Sequence, residues 1–319
     1  MTRRTLLLLR WGIFLAACAF LYMRLFAHES TYTAWGDWRA AFADASGWFW
    51  LAMLAMAALN WGIEAAKWRW LMDHLERMSL ARAFAATLAG TTIGMITPNR
   101  TGEFMGRVLF LAPENRWQGS FATVLGSIAQ FVTTVLIGGV AFVVLWWKAP
   151  LLDATAWWGV AMAMLVATVA GGALLVYFRP GLLRQLILLL PILRRMGKAA
   201  QVLEEYSFRE LLQVLLLSIG RYVVFCIQYV LFLSLFADIP WAASLLIVPV
   251  IYLITTLVPT MMLTELGVRG SVAVALLAPL GGQPALVLLA SFGVWAVNLA
   301  LPAAVGGVII LVARIRTKA

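Results

Sequence analysis

The sequence predicts an all-α polytopic membrane protein: an inverted repeat of six full spans plus two re-entrant, broken helical hairpins of opposite entry. Three observations carry that prediction. Hydrophobic residues make up 63% of the 319 residues and charged residues only 12%, with a mean hydropathy of +0.92. A soluble domain is nearer half apolar and a quarter charged. Six apolar runs are long enough to cross a bilayer, and two more are broken near the middle by proline and charge, as helices that enter a membrane and turn back are.

The first span is expected over residues 6–26, behind Arg3 and Arg4. The opening MTRRTLLLLRWGIFLAACAF imitates a signal peptide, with a basic start and a cleavage-like LAAC. The apolar run continues to Phe26, so an uncleaved helix is the expectation. Spans follow over 47–71, 121–147, 155–178, 211–236 and 284–312, with the broken hairpins over 80–112 and 241–279. The first repeat is residues 1–150 and the second 151–319. A basic, amphipathic stretch over 179–208 joins the halves, expected to lie along the anionic cytoplasmic leaflet.

Lys and Arg set the orientation. Clusters precede the first span, follow the second (Lys67, Arg69, Arg77, Arg82), follow the fourth (Arg179, Arg184, Arg194, Arg195, Lys198) and follow the last (Arg314, Arg316, Lys318). The opposite loops hold only Arg39 and Lys148, and a Trp pair brackets the loop WWKAPLLDATAWW. With both termini cytoplasmic, the first hairpin enters from inside and the second from outside. The expected home is a bacterial cytoplasmic (inner) membrane.

The chemistry concentrates in the hairpins. TPNRTGEFMGRVLFL carries Pro98, Arg100, Gly102, Glu103 and Arg107; VPTMMLTELGVRGSVAVALL carries Pro259, Glu265, Gly267 and Arg269. The two prolines, glutamates and arginines are displaced by 161, 162 and 162 residues. Three full spans per half is an odd number, so the second half is inverted, the signature of inverted-repeat transporters. Pro98 and Pro259, with Gly102 and Gly267, mark the hairpin breaks. The restarting helix offers free N–H groups to an anion. Glu103–Arg107 and Glu265–Arg269 are i, i+4 pairs in the favourable order. Each unpaired charge at the bilayer centre costs roughly 2.5–3.5 kcal/mol, so the four are expected to pair and to face a polar cavity. Alternatively they only pin the hairpin arms together. GTTIG and GEFMG are faces on which helices approach closely.

Arg221 falls in the middle of the fifth span and is a candidate phosphate ligand or a partner for a hairpin glutamate. Glu64 and Lys67 read as an interfacial i, i+3 pair. Asn60, Gln130, Gln228 and Asn298 read as bonds between helices. Cys18 and Cys226 lie in apolar spans and His28 and His74 far apart, which argues against a disulfide framework and a metal cluster. The formal net charge of +10 comes without any nucleic-acid motif. No catalytic residue and no cofactor are expected.

TPNRTGEFMGRVLFL resembles the Pro…Gly-Glu…Arg signature of the lysylphosphatidylglycerol synthase transmembrane, flippase-like, family. ELGVRGSVAVALL is similar to its second signature, with Gly270 where the family has Glu and with Glu265 four residues before the Arg. The resemblance implies a module that moves a lipid between leaflets. With the chain ending at Ala319, no fused synthase domain and no aminoacyl transfer are expected. The expected function is therefore a lipid flippase for a phospholipid or lipid-linked anion. Arg100, Arg107, Arg221 and Arg269 would meet the phosphate, and Glu103 and Glu265 would balance them or take a cationic headgroup. The expected partners are membrane lipids, with an oligomer compatible. A transporter of a small soluble anion and a non-transporting scaffold are the alternatives.

Overall fold

Helix is the only regular structure among the described residues, as an apolar chain requires when its backbone must satisfy its own hydrogen bonds. The computed structural model describes residues 36, 39–40, 42–95, 97, 101–148, 156–189, 194–237, 239–258 and 262–312. The expected span over 6–26, together with Pro98, Arg100 and Pro259, lies outside them.

Five helices are long and apolar enough to cross a membrane: Gly47–Met72, Pro113–Lys148, Trp157–Tyr177, Phe208–Phe236 and Pro284–Val312. They fall where the apolar runs put the second to sixth spans, and the chain is a membrane protein. The first described span, α1 (Gly47–Met72), starts where the Ser46 side chain caps the Phe49 N–H at 3.3 Å. It is followed by α2 (Leu80–Met95) and the short α3 (Gly102–Val108). These two form an antiparallel helical hairpin with almost no space between its backbones. A Cβ on Gly106 would lie 2.6 Å from the Gly90 Cα, and one on Gly102 would lie 2.7 Å from the Ile93 carbonyl oxygen. The two small-residue faces read from the sequence are the contact.

α4 (Arg116–Lys148) is followed by α5 (Ala156–Tyr177) and α6 (Pro180–Leu188). The linker is not one helix. After α6 it makes short 3-10 turns at Arg194–Met196 and Ala199–Glu205, and the second buries Ala200, Val202 and Leu203 in the core shared with α4. α7 (Phe208–Phe236) then begins on a capping box of Ser207 and Glu210. α8 (Trp241–Leu257) and α9 (Met262–Leu277) make a second helical pair, followed by α10 (Pro284–Trp295), a π turn at Ala296–Ala300 and α11 (Leu301–Val312). Gly267, expected at a break, lies within α9. The helix restarts at Met262, which puts Glu265 in its first turn, where a carboxylate suits the positive end of the helix.

Contacts recur at fixed displacements. Trp61, Lys67, Trp68, Leu71 and Met72 are buried in α1; Tyr222, Gln228, Tyr229, Phe232 and Leu233, each 161 positions later, are buried in α7. Trp68 donates to Thr123 at 3.0 Å, and Tyr229 hydrogen-bonds Ser291. A Cβ on Gly306 would meet Leu88 and Thr92 of α2; one on Gly138 would meet Pro249 and Leu253 of α8, again 161 positions on. The last span thus packs on the first hairpin, and the third span on the second.

α1 and α7 run antiparallel against each other. Gln228 donates to the Met53 carbonyl at 3.1 Å, Arg221 to Asn60 at 2.9 Å, and Tyr206 to the Leu71 carbonyl at 2.5 Å. As one number rises along α1 the other falls. At the crossing stand Asn60 and Arg221, 161 residues apart.

Candidate functional site

At that crossing the protein buries a cluster of charge. Glu64 lies on α1 one turn beyond Asn60 and is 5% exposed. Its Oε2 takes Lys67 Nζ at 2.7 Å and Arg221 Nη1 at 3.3 Å, and its Oε1 takes Arg107 Nη1 at 2.7 Å. Arg107 Nη2 also pairs with Glu103, one turn back on α3. Lys67 itself is 2% exposed and reaches the Gly126 carbonyl at 3.4 Å. One carboxylate therefore ties α1, the first hairpin and α7 together. The five side chains carry three positive and two negative formal charges.

The π turn supplies groups that hold Arg221 and Asn60 in place. Pro302 has no N–H to give the Asn298 carbonyl four residues earlier, so the helix ladder opens there. That carbonyl accepts the Trp61 indole N–H at 3.0 Å instead. The Asn298 side-chain oxygen accepts Asn60 at 2.9 Å, which orients Asn60 to accept Arg221. The Arg221 guanidinium carbon also lies 5.3 Å from the Trp61 ring and 5.0 Å from the Phe225 ring, both within cation–π range.

The second hairpin carries its own pair. Arg269 Nη2 bonds Glu265 on the same face of α9, and its guanidinium lies 5.2 Å from the Tyr252 ring on α8. An aromatic bridge joins the two charge groups: Arg221 over Phe225, Phe225 to Tyr252 at 6.2 Å, and Tyr252 under Arg269. Two donors at the second pair are buried with no hydrogen-bond partner among the described residues, the Tyr252 hydroxyl and Arg269 Nε.

Of the sequence-derived candidates, Glu103, Arg107 and Arg221 sit in one cluster and Glu265 and Arg269 in a neighbouring one; Arg100 is outside the described residues. Reading the sequence missed Glu64 and Lys67 as central. Their i, i+3 spacing gave the pair, but an interfacial pair should be wet, and these are dry. The signal available was the spacing of Asn60, Glu64 and Lys67 at i, i+4 and i+7, a single narrow polar stripe on a helix otherwise apolar from Ala57 to Trp68, as fits a stripe turned toward other helices. Asn60, Gln228 and Asn298 do bond between helices.

Residues 8–306 match the protein family described as "Lysylphosphatidylglycerol synthase TM region". No curated protein matches the chain.

Proposed function

For this chain, which belongs to the lysylphosphatidylglycerol synthase TM region family, we propose the role of a translocase that moves a phospholipid or lipid-linked anion between leaflets. The observation that carries the reading is the convergence on Glu64 of Arg107 from a broken hairpin and Arg221 from mid-span. Charges at that depth are costly and mark substrate paths.

The architecture in this reading is an inverted repeat with two re-entrant hairpins. Its support is the recurrence of contacts 161 residues apart and the antiparallel crossing of α1 and α7 on equivalent positions. Two like helices that cross antiparallel on their own equivalents are related by a two-fold axis perpendicular to both. For membrane spans that axis lies in the membrane plane. Both termini would be cytoplasmic, in a bacterial inner membrane, and the chain would carry no catalytic residue. The hairpin Glu–Arg pairs would line the path of the anionic headgroup, with Glu103 and Glu265 balancing charge. Rocking of the halves would expose the site to each leaflet in turn.

A scaffold that transports nothing is the second reading, and the full engagement of Glu64 by three cations favours it. The unpaired donors beside Arg269 favour transport. Reconstitution decides. In liposomes holding a fluorescent phospholipid, the protein should speed leaflet exchange, and Arg107→Ala and Arg269→Ala should each reduce it at least tenfold, the loss of roughly 1.4 kcal/mol or more. Exchange no faster than in empty liposomes sinks the translocase.

A further inference from the structure

The two hairpins are equivalent in position but not in chemistry. On the first, Arg107 gives one terminal nitrogen to Glu103 and the other to Glu64. The position 161 residues after Glu64 is Phe225, so α7 offers no second carboxylate to Arg269 at the matching place. Among the described residues Nε of both arginines is without a partner, and the contrast lies in the carboxylates: two on Arg107, one on Arg269. A second difference sits on the hairpin arms. Thr91 of α2 spends its hydroxyl on its own helix, at 3.0 Å from the Thr87 carbonyl. The position 161 residues later is Tyr252, which is 9% exposed and whose hydroxyl is buried with no partner among the described residues.

A buried hydroxyl without a partner is costly to keep, and at Tyr252 it points to a missing acceptor; the idle Nε is common to both arginines and does not by itself separate the hairpins. We infer that the first hairpin carries its anion within the chain, as Glu64, whereas the second takes one from outside, a phosphate ester held by Arg269 and the Tyr252 hydroxyl. Guanidinium and phenol hydroxyl together suit such a group, because a phosphate presents several strong acceptors to a planar fork and a further donor. The Tyr252 ring under Arg269 holds the fork in place, and the rings of Tyr222 and Tyr229, edge-on to Tyr252, and of Phe225, tilted against it, hold that ring. Glu64 then serves as a resident counter-ion that fixes the first hairpin, and the two halves divide support from binding. The lipid origin of the phosphate rests on the translocase reading; the site itself does not.

The test is binding by the purified full-length protein in detergent, read by native mass spectrometry with added phosphatidylglycerol or, as a phosphate-free control, diacylglycerol. A second arm adds inorganic phosphate alone and reads thermal stability. Wild type should retain phosphatidylglycerol over diacylglycerol. Tyr252→Phe, which removes one oxygen and keeps the ring, should weaken retention about tenfold, as loss of one hydrogen bond to a charged group does. Phe225→Glu, which copies the first half, should abolish it. Retention unchanged in both variants overturns the inference even where leaflet exchange is intact. Stabilisation by inorganic phosphate that Tyr252→Phe removes, without lipid retention, keeps the site and removes the translocase. Should Phe225→Glu fail to fold, Tyr252→Phe alone decides.

Discussion

Glu64 is the side chain on which the charge cluster turns, because it is an acceptor shared by three cations from two spans and a hairpin. Taking away one member of a buried ion pair is worse than never having built it, since the orphaned charge stays dry. Glu64→Gln should therefore destabilise the protein by about 3–5 kcal/mol. Adding Lys67→Met to it should restore part of the loss, giving a coupling of about 1 kcal/mol or more in a double-mutant cycle read by equilibrium unfolding. Additive effects would mean the two side chains do not share a buried environment. The sequence showed that Glu64 and Lys67 pair, since i, i+3 spacing is local. It could not show that Arg107 and Arg221, 43 and 157 residues away, arrive at the same carboxylate, because that depends on how three helices pack. Asn60 and Asn298 were legible as helix-to-helix polar residues in the same limited way: the type of bond, not the partner.

At the level of elements, the first hairpin depends on two glycines touching. A Cβ on Gly106 would stand 2.6 Å from the Gly90 Cα, and backbone cannot step aside. Gly106→Ala should thus cost about 1–3 kcal/mol, the usual price of overpacking. Gly270→Ala on α9 is the useful contrast. Its added Cβ meets only the Leu288 Cδ1 at 2.3 Å, the end of a side chain that can change rotamer. Gly270→Ala should be clearly milder in the same thermal-unfolding measurement, and equal losses would refute the close approach of α2 and α3. The small-residue faces were readable because four-residue spacing puts both glycines on one side of a helix. The π turn was not. Pro302 announces only that a ladder bond is missing, and whether the helix kinks, bulges or ends is decided by Trp61, which claims the freed carbonyl.

The molecule as a whole is organised around the crossing of α1 and α7, where positions 161 residues apart face each other. Little identity accompanies this spacing: Asn60 stands 161 positions before Arg221, Lys67 before Gln228 and Trp68 before Tyr229, so the side chains differ although the last two pairs are buried alike. The hairpin Pro, Glu and Arg kept their types, as did Gly138 and Gly306 where the third and last spans meet the hairpins, and the first three were enough to suggest the displacement from sequence. If the halves are inverted, the bases of the two hairpins must lie on opposite sides of the membrane. Ser79, exposed just before α2, marks one base, and Gln283, exposed just before α10, marks the other. Single cysteines at Ser79→Cys and Gln283→Cys, in a chain with Cys18→Ser and Cys226→Ser, can be probed in intact cells with a membrane-impermeant maleimide. Gln283→Cys should label from outside at once and Ser79→Cys only after the membrane is opened. Labelling of both from one side would leave an even number of crossings between them. A two-fold axis in the membrane plane, and alternating access built on it, could then not exist.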